Sequence, residues 1–219
     1  MLKEKTGEVF SIRHDNQPVP GCTVSKAIFQ QGGQHISYFS LAERTEISAE
    51  LYSYYKLIIT VWGGVEVFTG DHHSWALENG SCLVTPVNIP VGMRAESAAV
   101  YTEIIFRRVS ELNKAIKIGE VFSLAELVPY QDGKIVNMDI LSGEGLKFVV
   151  MSFDAETGLS EHAAPGEALI FALDGQGIIG YEGKEHTLKA GENFKFAKGG
   201  AHYVKANERF KMALLLTLE

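Results

Sequence analysis

The chain reads as short apolar runs cut by polar, glycine-bounded turns. Tyr55-Lys-Leu-Ile-Ile-Thr-Val-Trp62 is a continuous apolar strand, Gly63-Gly64 is its turn, and Val65-Glu-Val-Phe68 alternates as a strand with one wet face. Gly70-Asp71 and Glu182-Gly183 have the composition of hairpin turns joining neighbouring strands. Helical signals are few. Ser110–Lys117 fits a short linker helix or an extended connector, and Ser123 with Glu126 three residues on predicts a single capped helical turn. Its counterpart Ser11-Ile-Arg-His14 lacks the glutamate, and Asp15 to Pro20 reads as a polar surface loop. Many short strands at this spacing predict an all-β antiparallel barrel or sandwich over a parallel α/β sheet.

The pattern occurs twice. Gly7-Glu-Val-Phe-Ser11 recurs as Gly119-Glu-Val-Phe-Ser123, an offset of 112 residues that also pairs Gly33 with Gly145, Thr45 with Thr157 and Gly63 with Gly175. One residue is lost in the next turn, so Gly80 pairs with Gly191. Val24–Phe29 likewise answers Val136–Leu141. Two copies of one domain follow, 1–112 and 113–219, with the boundary falling between Ser110 and Gly119.

Composition narrows the function classes. A chain of 219 residues can bury a core in one large or two small domains, and 46% hydrophobic with 21% charged residues is ordinary for a globular protein. A net charge of -7 without any basic stripe argues against a nucleic-acid partner. No run of eighteen apolar residues is present, and Met1–Glu8 lacks the apolar centre of a secretion signal, so the expectation is a cytoplasmic protein with no membrane partner. Cys22 and Cys82 stand in no metal-like spacing and read as small buried hydrophobes.

The stretch Gly158-Leu-Ser-Glu-His-Ala-Ala-Pro-Gly-Glu-Ala-Leu-Ile-Phe-Ala-Leu-Asp-Gly-Gln-Gly177, followed by Gly191-Glu-Asn-Phe-Lys-Phe-Ala-Lys-Gly-Gly-Ala-His202, resembles the two motifs of the cupin family. In that family a His-x-His pair, a glutamate on the next strand and a late histidine converge inside a small β-barrel and hold a divalent metal. The resemblance implies two tandem antiparallel cupin (jelly-roll) β-barrels related by internal duplication, and an outer arm of early strands in each. It places the first histidine at His162 and the late one at His202, the second histidine at Ala164 and the glutamate at Ala168. Glu167 lies one residue early, and one step along a strand turns a side chain to the opposite face.

Carried back by the offset, His162 becomes Glu50, Ala164 becomes Tyr52, Ala168 becomes Lys56 and His202 becomes Val91. The first barrel is therefore expected to be free of metal and to serve as a structural partner, because a cation needs imidazole or carboxylate donors. Glu50 and Lys56 read either as a polar pair or, more commonly, as solvated rim charges. In the second barrel His162 and His202 are the catalytic and metal candidates. Glu167 joins them as a ligand only if the strand starts late or carries a bulge that re-aims it. Zinc, iron, manganese and nickel are not distinguished, and a barrel with no metal is the other expectation, since zinc normally takes at least three protein donors. Without metal, the two imidazoles would hydrogen-bond to each other, to water or to a small-molecule ligand, or act in acid–base chemistry.

The remaining candidates read as structural. His72, His73 and His186 are taken as turn residues, while His14 and His35 have no sequence partner. Phe148, Met151, Phe153, Phe194, Phe196 and Tyr203 are expected to line and fill the second barrel, and the small Ala163, Ala164 and Ala168 leave room there for a ligand. Three function classes remain open: a small-molecule enzyme, a ligand-binding or sensing module, and a structural protein with a vestigial site. A homodimer fits the family and the exposed edges of β-barrels.

Overall fold

A computed structural model of the chain describes residues 1–31, 34–71 and 73–218. Gly33 and His72, both used above, lie outside the described residues. Two compact units divide the chain, one made of Ile12–Ser123 and the other of Met1–Ser11 with Leu124–Glu219. We call them the N-terminal and C-terminal barrels. This division differs from 1–112 and 113–219 because the first strand following each repeated glycine crosses over. β1 (Val9–Phe10) belongs to the C-terminal barrel, and β11 (Val121–Ser123) to the N-terminal one. Gly7 and Gly119 start these strands alike, Gly7 donating its N–H to Lys195 O at 3.0 Å and Gly119 to Val84 O at 2.9 Å.

In the N-terminal barrel a helical turn, α1 (Ile12–Asp15), leads into β2 (Thr23–Gln31), β3 (Gln34–Leu41), β4 (Thr45–Leu51), β5 (Tyr55–Trp62), β6 (Val65–Thr69), β7 (Ser74–Leu77), β8 (Ser81–Val84), β9 (Pro90–Ala95) and β10 (Ala99–Phe106). One antiparallel sheet runs β11-β8-β5-β10-β3-β2 and the other β4-β9-β6-β7. Alternating side chains of both meet in one core that includes Ile58, Val67, Leu83, Met93 and Tyr101. The α1 turn forms without the glutamate of a capping box, and Asn16 Nδ2 caps its far end on Ile12 O at 2.7 Å.

The C-terminal barrel repeats this order with β12 (Ile135–Gly143), β13 (Leu146–Phe153), β14 (Thr157–Ala163), β15 (Glu167–Tyr181), β16 (Lys184–Lys189), β17 (Asn193–Phe196), β18 (Ala201–Ala206) and β19 (Phe210–Thr217). Its larger path is β1-β17-β15-β19-β13-β12, and β14, β18, β15 and β16 form the facing layer. The long β15 serves both layers, covering the positions of β5 and β6 together. Where β5 ends, Gly63 has φ 74° and a Cβ would sit 2.4 Å from Ala98 O. At Gly175 φ is 69° and the same atom would sit 2.0 Å from Arg209 O. Only glycine satisfies both demands, which explains why this pair persists in the repeat.

Several local expectations are met. Glu182 and Gly183 take positive φ of 47° and 77°, as a tight hairpin between β15 and β16 requires. A one-turn 3-10 helix, Leu124–Glu126, follows Ser123; the expected linker helix over Ser110–Lys117 is reduced to a 3-10 turn at Val109–Glu111, after which 112–117 is irregular. Others need correction. His186 lies within strand β16, where its ring packs 4.9 Å from that of Phe194, so it is not a turn residue. Cys22 is exposed, whereas Cys82 is buried. Met151, Phe153, Phe194 and Phe196 join the barrel core, but Phe148 has the other strand parity and packs on Phe171. Tyr203 also points away from the core, lying over Gly180 and donating its hydroxyl to Glu185. Among the described residues no helix is long and apolar enough to cross a membrane.

Candidate functional site

Strands β14 and β18 pair antiparallel, and an irregularity between Leu159 and His162 sets His162 directly opposite His202. Facing positions of an antiparallel ladder bring side chains together, and the two ring centroids are 4.2 Å apart. The His202 ring stacks on Phe196 at 4.0 Å and 27°. Each imidazole is anchored by the carbonyl two residues before it: His162 Nδ1 is 2.9 Å from Ser160 O, and His202 Nδ1 is 3.0 Å from Gly200 O. A carbonyl only accepts, so each Nδ1 carries a hydrogen, and in the neutral ring the lone pair is on Nε2. His162 is exposed and His202 is 5% exposed. Burial first, and the neighbouring His162 next, pull the His202 pKa below the usual histidine value against the opposing effect of the Gly200 carbonyl.

Both histidines line a cavity of about 250 Å³ whose walls are largely aliphatic, from Val149, Met151, Leu214 and Leu216 together with Ala164, Pro165 and Ala168. The small residues singled out in the sequence do leave space here, except for Ala163, which is exposed on the strand. Asn137, Asp139 and Lys147 complete the lining and were missed by motif reasoning. They come from β12 and β13, and Lys147 Nζ pairs with Asp139 Oδ2 at 3.0 Å.

Glu167 is not at this site. Ala168 faces the cavity, and no bulge re-aims its neighbour, because the ladder from β15 to β17 is regular from Ala168 and the one to β19 shifts only between Ala172 and Asp174. Glu167 instead forms a buried ion pair with Lys195 at 2.9 Å. This pair grips the start of the chain: Leu2 donates its N–H to Glu167 Oε2, and Lys195 Nζ donates to Leu2 O at 2.6 Å. The expected third metal ligand is thus committed to a structural contact. Among the described residues no group of three or more His, Cys, Asp or Glu is placed to hold a metal ion.

The same register in the N-terminal barrel sets Glu50 opposite Val91. Lys56 is not a solvated rim charge, being 5% exposed and paired at 3.1 Å with Glu103, a buried residue with no sequence signal. Its ammonium also lies 3.5 Å from the Tyr52 ring centroid, and Tyr52 donates its hydroxyl to Glu50 at 2.8 Å. Burial raises the Glu103 pKa, and the Lys56 ammonium opposes that rise. Burial, then the hydrogen bond to Glu50, raises that of Tyr52.

Residues 149–218 match the cupin domain family. Over 99% of both chains the protein resembles a cupin 2 conserved barrel domain protein from Leptotrichia buccalis, with 30% identity and a TM-score of 0.86. Salicylate 1,2-dioxygenase from Pseudaminobacter salicylatoxidans shares 12% identity and a TM-score of 0.63 over 88% of this chain and 76% of that one. The protein Ylba from E. coli shares 12% identity and a TM-score of 0.61 over 99% and 93%. At such identities these two likenesses speak for the fold alone. No curated protein matches the chain.

Proposed function

The chain belongs to the cupin family, and on that premise we propose that its C-terminal barrel binds a compact, largely apolar small molecule whose hydroxyl or N–H group is received by His162 and His202. The observation that carries this reading is the pair of facing imidazoles at the cavity, each with Nδ1 already engaged. In their neutral form the two rings would offer their Nε2 lone pairs as acceptors, and neutral imidazole is also the usual general base near neutral pH. As an enzyme, the barrel would remove a proton from the donor group held there. As a binding module it would use the same contacts without turnover.

The donor set does not fit a protein-saturated metal centre. Two imidazoles fall one short of the usual three protein ligands, and Glu167 is held by Lys195 and Leu2. Hydroxylated aromatic acids are sensible first probes, since one distant structural neighbour is a salicylate 1,2-dioxygenase solved with gentisate. A thermal-shift and turnover screen of such compounds, run on tag-free protein alongside elemental analysis, tests the proposal. The expected result is a hit that vanishes in both His162→Ala and His202→Ala. Stoichiometric metal lost in either variant would replace this reading with a metal-centred one.

A further inference from the structure

The N-terminal barrel carries charged and polar side chains at three positions that are apolar in its partner. By strand register Lys56 stands where Ala168 does and Glu103 where Leu214 does: Glu103 faces Ser37 and Ile58, as Leu214 faces Val149 and Ile170. Tyr52 stands where Ala164 does by the sequence offset, its carbonyl accepting from Asn88 N–H as that of Ala164 accepts from Gly199 N–H. Space and aliphatic wall in one barrel become a charged cluster in the other.

We propose that this cluster is a binding site for a primary alkylammonium ion, which the chain fills with its own Lys56. The Glu103 carboxylate takes the ammonium at 3.1 Å, and the face of Tyr52 covers it at 3.5 Å, well inside the ~6 Å reach of a cation–π contact. Glu50 holds the Tyr52 hydroxyl as an acceptor, fixing the ring and enriching its face in electron density. A cation that is 5% exposed persists only where such partners replace its water. Carboxylate plus aromatic face is a recognition chemistry for ammonium, and it does not depend on the histidine pair of the other barrel.

Lys56→Ala removes three methylenes and an ammonium, the atoms of n-propylammonium. Added n-propylammonium is expected to raise the unfolding midpoint of Lys56→Ala in proportion to the logarithm of its concentration above Kd, by roughly 5–10 °C at 100 times its Kd. Wild type, Lys56→Met, which refills the slot without charge, and Lys56→Ala/Glu103→Gln should not respond. If Lys56→Ala does not fold unaided, refolding in n-propylammonium should recover it. No response, no recovery, an equal response to 1-propanol, or a response in wild type or Lys56→Met would overturn the proposal.

Discussion

The two histidines of the candidate site are equivalent in sequence motif but not in environment. His162 is exposed, so His162→Ala should leave stability within about 0.5 kcal/mol of wild type. His202 is packed against Phe196, and its truncation leaves a hole worth roughly 1–3 kcal/mol in thermal unfolding. The same burial makes folding pH-dependent. The His202 pKa is lower in the folded chain than the usual ~6.5, chiefly because burial penalises its charged form. As pH falls below about 6.5 the unfolded chain takes up a proton that the native one refuses. Stability should therefore be full above that pH and decline below it, with a slope that is reduced in His202→Gln. Equal slopes in the two proteins would show that His202 is not the titrating group.

At the scale of elements, alternation along a strand decides what a residue can do. The one-residue step that separates Glu167 from Ala168 sends the carboxylate out of the cavity and into the Lys195 pair. Its work is to hold the segment before β1 through Leu2, whose side chain is 2% exposed. Glu167→Ala should then leave Lys195 buried and unpaired and cost about 3–5 kcal/mol in denaturant unfolding. Ligand responses at His162 and His202 should persist in the protein that remains folded. Loss of the ligand response with unchanged stability would return Glu167 to the site.

For the whole molecule, the consequential feature is the exchanged first strand. A fragment 113–219 follows the sequence repeat yet lacks β1 and Leu2, leaving the β17 edge and the Glu167–Lys195 pair uncovered. A peptide of residues 1–11 should bind that fragment and raise its midpoint, and the same peptide bearing Leu2→Asp should not. Indifference of the fragment to the peptide would mean that β1 adds nothing to this barrel.

The all-β class, the main strands and turns, the doubled pattern and the two facing histidines were legible in the sequence. The strands and turns rest on side-chain alternation and on turn residues, the doubling on a repeated motif, and the meeting of the histidines on the resemblance to the cupin motifs. Partners brought in by distant strands were not legible. Glu103 against Lys56 and Lys195 beside Glu167 meet their neighbours through strand register and loop closure, which leave no local mark. The exchange of β1 and β11 is of the same kind, because Gly7 and Gly119 begin identical pentapeptides and only tertiary packing assigns each strand to its barrel. Sequence by itself thus determined which way side chains face along a strand, and tertiary structure alone decided what they face.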